Sequence, residues 1–163
     1  EPIVISDEVQ YALRLLQFEA DNRRITLSFT QDRHGVSALA DHQSLRQILL
    51  NVIGNAIKFS PRDSIVKITL GSCDETPRRI CITVEDRGCG IPPETLAELG
   101  NPFVQAEDDV YSRQHQGTGL GLAICFGLAE AMGSEIVLDS KVSEGTTVTI
   151  CIPEAPPDFE PDA

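Results

Sequence analysis

The sequence is short of positive charge: 13 Lys and Arg stand against 25 Asp and Glu, for a formal net charge of −12. Broad binding to a nucleic-acid backbone needs surplus cations to displace counterions, so the balance argues against that class of partner. An anionic membrane surface would repel the chain as well. No apolar run approaches the roughly 18 residues of a membrane span, and neither a signal peptide nor a lipidation motif is present. Cys73, Cys81, Cys89, Cys125 and Cys151 are odd in number, scattered and free of CxxC spacing. That pattern argues against a disulfide framework and a zinc site, and a reducing cytoplasm is the expected setting. No GK[ST] of a Walker loop occurs, nor the GxGxxG register of a dinucleotide fold. The chain starts with Glu1 rather than Met, so a piece of a longer protein is expected.

What is there suffices for one globular domain, with 163 residues and 41% apolar content. Ile3 to Ile5 reads as a short strand, and Val9, Ala12, Leu13, Leu16 and Ala20 recur at helical spacing over residues 7–20. Ile25, Leu27 and Phe29 alternate with polar partners as in a half-buried strand. Asp41 is placed to cap a second helix that Pro61 ends. Residues 65–70 and 80–84 alternate and predict a hairpin; residues 119–132 predict a third helix; 136–138 and 147–152 predict two more strands. Residues 91–99 predict a turn and a short helix, and the polar stretch over 100–116 a mobile lid. The mixed order predicts an α/β (α+β) two-layer sandwich, a mixed β-sheet with about three helices on one face. Residues 1–152 are the expected domain, and the acidic, proline-rich 153–163 a solvated tail or linker.

Three stretches stand out. In "NVIGNAIKF", Asn51, Asn55 and Lys58 fall at spacings of four and three along one side of the second helix. Asparagine is a mediocre helix former, so two stacked in mid-helix need a reason, the bland one being a solvated polar face. "DRGCGI" puts Asp86 at a strand end before Gly88 and Gly90, where a carboxylate can accept from an exocyclic amine while the glycines leave room for a flat base. Alone, an Asx turn explains it as well. "GTGLGL" packs Gly117, Gly119 and Gly121 into a turn opening a helix, whose N-terminal N–H groups suit a phosphate. A helix packed unusually close to its neighbour would use the same residues.

Together, in this order and spacing, these stretches resemble the ATP-binding catalytic domain of sensor histidine kinases, in a superfamily that includes DNA gyrase, MutL-type mismatch-repair proteins and the large heat-shock chaperone. "NVIGNAIKF" resembles the N box, "DRGCGI" the first glycine box, "NPFVQ" the phenylalanine box and "GTGLGL" the second glycine box. The resemblance implies ATP and Mg²⁺ as cofactors, the metal held by Asn55 with Asn51 close by. It implies that Lys58 approaches the phosphates, and that Asp86 accepts from the adenine amino group with Gly88, Gly90 and Ile91 about the base. Gly117, Thr118, Gly119, Leu120 and Gly121 are implied to fold over the triphosphate, Phe103 to anchor the lid, and Thr146 to line the base pocket. Arg113 matches a basic lid position and joins Asn51 and Lys58 as an implied catalytic residue.

Hydrolysing relatives resemble one another in a glutamate four residues before the metal-binding asparagine, where this chain has Asn51; without that base water is a poor nucleophile. The resemblance therefore implies a bacterial-type protein-histidine kinase. It would donate the γ-phosphoryl group to a histidine on a separate dimerisation domain, for onward transfer to a response regulator in a two-component system. His34, His42 and His115 do not fit the phosphoacceptor pattern, so that partner domain lies outside this chain, which is expected to be monomeric and away from membrane and nucleic acid. Two rivals stay open: a degenerate kinase acting as a scaffold, and a serine kinase or ATP-driven clamp.

Overall fold

The computed structural model describes residues 2–32, 36–72, 79–90 and 118–155. Strand β1 (Pro2–Val4) leads directly into helix α1 (Ile5–Asn22), so Ile5 opens the helix rather than ending the strand. Then come β2 (Thr26–Gln31), β3 (Ser37–Leu39), helix α2 (His42–Phe59), and the hairpin strands β4 (Ile65–Ser72) and β5 (Arg79–Glu85). Helix α3 (Thr118–Ala131) and the strands β6 (Glu135–Lys141) and β7 (Gly145–Pro153) complete the described chain. The five-stranded sheet has the order β2-β4-β5-β7-β6. Only β2 and β4 are parallel, with Thr26 opposite Ile65, and the other three pairings are antiparallel. The expected mixed sheet is therefore present, with α2 packed centrally between α1 and α3.

Strand alternation decides which face is covered. Val66, Ile68 and Leu70 of β4, Ile80, Ile82 and Val84 of β5, and Val148, Ile150 and Ile152 of β7 point to the helices and are buried. Each such side chain contributes about 1.5–3 kcal/mol by leaving water. The matching apolar stripe of α2, from Leu45 through Ile48, Leu49, Val52, Ile53 and Ala56 to Ile57, is buried against them. Asp41 caps this helix as expected, its Oδ2 accepting from Ser44 N–H at 2.9 Å.

The other face carries polar side chains. Ser28, Lys67, Glu85, Thr147 and Asp139 sit opposite one another across all five strands.

Helices α1 and α2 are joined through a buried carboxylate. Glu8, 5% exposed at its side chain, lies 2.7 Å from Arg46 Nε and 2.8 Å from His42 Nδ1. His42 is thus half-exposed and tied to the fold, while His34 and His115 lie outside the described residues.

Beyond the helices, β3 was not expected. Three residues without a pattern carry little signal, and β3 exists because Ser37–Leu39 pairs with β1, Pro2 opposite Leu39. Ala155 N–H donates to Ser37 O at 2.9 Å, so residues 153–155 join the sheet edge rather than the tail. Residues 156–163 and Cys73 lie outside the described part. Cys81 is disulfide-bonded, a departure from the sequence expectation, and its sulfur also lies 3.3 Å from that of Cys151 on the neighbouring strand. No helix among the described residues is long and apolar enough to cross a membrane.

Candidate functional site

Between α2 and the ends of β5, β6 and β7 lies a cleft lined by Val52, Asn55, Ala56, Phe59, Val84, Asp86, Cys89, Gly90, Leu138, Thr146 and Val148. Aliphatic walls with a few polar groups at one end suit a flat heteroaromatic ring better than a sugar or a peptide. The cleft is narrow, with a volume of about 30 Å³. A larger concavity of about 590 Å³ lies on the helix-free face, lined by Lys67, Glu85, Arg87, Asp139, Lys141 and Glu144 among others. Apart from Ile65 its lining is polar or charged, so it offers no pair of apolar walls for a ring to lie between, and the smaller cleft is the candidate site.

Asp86 stands at the polar end. Its Oδ1 accepts from Gly88 N–H at 2.8 Å and from Thr146 N–H at 3.2 Å, which leaves Oδ2 as the remaining acceptor. Asp86 N–H in turn donates to Thr146 O at 2.9 Å, so the loop after β5 and the start of β7 clasp each other. Burial pushes the Asp86 carboxyl above the ordinary aspartate range, and the N–H donors of Gly88 and Thr146 pull part of the way back. An ionised acceptor in such a place gains most from a donor arriving with a ligand.

The glycines have a different reason from the one their spacing suggests. A Cβ on Gly88 would stand 2.6 Å from the carbonyl oxygen of Phe59, at the end of α2. Gly145, at φ +113°, would drive a Cβ into the carbonyl oxygen of Asp86. Close approach of backbone to backbone, rather than room for a ring, is what excludes side chains here.

The polar stripe of α2 divides three ways. Asn55 lines the cleft. Asn51 turns to α3, its Nδ2 lying 3.5 Å from the sulfur of Cys125, a thiol that burial pushes up. Lys58 is exposed beyond the cleft, with Nζ 5.4 Å from the centre of the Phe59 ring. Thr118, Gly119, Leu120 and Gly121 form the first turn of α3, inside the helix rather than before it. Ile91, Phe103, Arg113 and Gly117 lie outside the described residues, as do the expected short helix and lid.

Ser140 escaped the sequence reading. Its Oγ stands 2.8 Å from Thr146 Oγ1 and donates to Gly145 O at 3.0 Å. The signal was available, since Ile136 and Leu138 alternate inward on β6 and Ser140 is the next inward position, polar where an apolar residue is expected.

Mg²⁺ prefers hard oxygen ligands and keeps several waters, so one or two protein oxygens beside substrate phosphates make an ordinary site. The carboxamide of Asn55 in the cleft wall fits that chemistry.

The family described as histidine kinase-, DNA gyrase B- and HSP90-like ATPases matches residues 40–156. A sensor-like histidine kinase of Rhizobium meliloti is 35% identical over 94% of this chain and 28% of its own length. The histidine protein kinase DivJ of Caulobacter vibrioides is 37% identical over 90% of this chain and 24% of its own. The crystal structure of full-length ShkA in complex with AMPPNP superposes with a TM-score of 0.78 at 30% identity, over 95% of this chain and 31% of that one. The chain thus spans about a quarter of the length of the curated relatives it matches. With the family matching well over half of the chain and the cleft falling inside the matched stretch, the chain belongs to the histidine kinase-, DNA gyrase B- and HSP90-like ATPases.

Proposed function

We propose that this chain binds Mg-ATP and donates the γ-phosphoryl group to a histidine on a separate dimerisation domain, from which it passes to an aspartate of a response regulator. The observation that carries the reading is the cleft itself: a largely aliphatic slot whose lining includes the Asp86 carboxylate and the Asn55 carboxamide. Asp86 Oδ2 is suited to the exocyclic amine of adenine, Val52, Ala56, Val84, Leu138 and Val148 to its faces, and Thr146 to its edge. The opening turn of α3 offers N–H groups that have no partner within the helix, and these suit the phosphates. Asn55, with Asn51 nearby, would hold Mg²⁺, which when bound neutralises the phosphate oxygens. Lys58, Arg113 and Phe103 are assigned their phosphate, transfer and lid-anchoring roles by resemblance alone.

Phosphotransfer rather than hydrolysis follows from Asn51. A carboxamide cannot take a proton from water, so the γ-phosphorus awaits a nucleophile that needs no such base, and an imidazole qualifies. Residues 1–152 would act as the catalytic unit in the cytoplasm, monomeric when apart from the dimerisation domain. ShkA bound to AMPPNP supports the nucleotide part of the reading.

Calorimetric titration with a non-hydrolysable ATP analogue, with and without Mg²⁺, is the first test. Metal-dependent binding is expected and, once ATP itself replaces the analogue, acid-labile, base-stable phosphate on an added dimerisation domain. No binding by a folded chain would leave a degenerate scaffold.

A further inference from the structure

We infer that the tip of the β6–β7 hairpin positions the base-binding loop, with Ser143 as its latch: the Ser143 backbone N–H holds the Cys89–Gly90 end of that loop from behind. The inference rests on the nucleotide reading above and deepens it, adding a positioning residue outside the cleft lining.

Pairing of β6 with β7 ends at Lys141 opposite Gly145, which leaves residues 142–144 to reverse the chain. Glu144 N–H donates to Lys141 O at 3.0 Å and closes the turn. Ser143, the third residue of that turn, stands at φ +68°, a place where glycine or asparagine is the ordinary choice. A serine persists in such a conformation where its surroundings hold it. Here the surroundings are the base loop: Ser143 N–H, which the turn itself does not use, donates to Cys89 O at 2.7 Å.

Loop and tip meet at both ends of the loop. At the first end, Asp86 and Thr146 are bonded through N–H groups in both directions, and Gly145 lies against the Asp86 carbonyl. At the second, Gly90 lies at φ +76° and so near the tip that a Cβ would run into the carbonyl oxygen of Lys141. Ser143 adds its hydrogen bond there. Asp86, Cys89 and Gly90 line the cleft, whereas Lys141, Ser143 and Gly145 stand behind that lining. A base therefore meets a wall whose place is set by residues it does not touch. Release of Cys89 by the tip would free the Gly90 end of the wall while Asp86 stays clasped.

Hydrogen exchange at the Ser143 amide of the whole chain, followed by NMR with and without the β,γ-imido analogue of ATP and Mg²⁺, is the test. An opening that frees this N–H also displaces the wall, so bound nucleotide opposes it. With the analogue at about 100 times its dissociation constant, exchange at Ser143 should slow by about 100-fold. Ser44 N–H, bonded to Asp41 at the exposed start of α2, is the control and should keep its rate. Slowing at Ser143 no greater than at Ser44 overturns the inference. Two variants give an independent measurement. Ser143→Pro removes the N–H and forbids φ +68°, and should weaken analogue binding by about three- to tenfold, the worth of one hydrogen bond. Ser143→Gly keeps the N–H and takes up that φ without strain, so it should retain wild-type affinity. A lower Tm for Ser143→Pro with unchanged affinity is what a merely structural turn produces, and it too overturns the inference. Should the proline variant not fold, the exchange rates decide alone. Failure of a folded wild type to bind the analogue overturns the nucleotide reading instead.

Discussion

Asparagine at position 86 exchanges one carboxylate oxygen for an amide NH₂ and removes the charge. The carbonyl oxygen of the amide can keep the two bonds now made by Asp86 Oδ1, to Gly88 N–H at 2.8 Å and Thr146 N–H at 3.2 Å. The group facing the cleft then becomes a donor aimed at the donor of adenine. A hydrogen bond to a charged group contributes about 1.5–3 kcal/mol, so affinity for an ATP analogue should fall by about 10- to 150-fold. Stability should move the other way. The folded chain holds the Asp86 proton to a higher pH than the unfolded chain does, because burial disfavours the charge. Ionisation at neutral pH therefore costs stability, which returns as pH falls through the raised value. Asp86→Asn avoids this cost, so its Tm without nucleotide should match or exceed that of the wild type at pH 7.5. Wild-type affinity should also decline, as pH is lowered, above the usual aspartate range, where the variant shows no matching decline. Calorimetry and thermal melts on the same preparations decide the matter. Unchanged affinity, or an affinity loss accompanied by a collapse in Tm, would refute the assignment of Asp86 as a ligand acceptor poised at a cost.

Gly145→Ala places a Cβ against the Asp86 carbonyl at φ +113° and should lower stability by at least about 2 kcal/mol, read in urea melts. Asn55→Ala should bring analogue affinity in Mg²⁺ close to its value in EDTA, while leaving the metal-free value within about twofold, the size of a weak exposed contact. Cys125, fully buried and with its pKa raised by that burial, should react more slowly with iodoacetamide than the half-buried Cys89, as followed by mass spectrometry.

The helices and most strands were legible in the chain because each is a local pattern. The buried side of α2 is the apolar stripe of its sequence, and Asp41 caps it through a neighbour three residues away. Strands β4, β5 and β7 alternate as expected, since a half-buried strand has a period of two whatever it pairs with. The motifs also named their residues well enough to bring Asn55, Asp86, Gly90 and Thr146 to one cleft.

Other features depend on contacts between residues far apart along the chain, and only the tertiary structure decided those. Strand β3 exists through β1, and the parallel pairing of β2 with β4 spans the whole of α2. Gly88 is glycine because the end of α2 comes within 2.6 Å of its missing side chain. Asn51 and Asn55, one helical turn apart, part company because α3 offers a sulfur to one and the cleft receives the other. Composition and periodicity act within a turn or a strand, whereas the chemistry of the cleft is set by where folding leaves the lone pairs and protons of residues from Val52 to Val148.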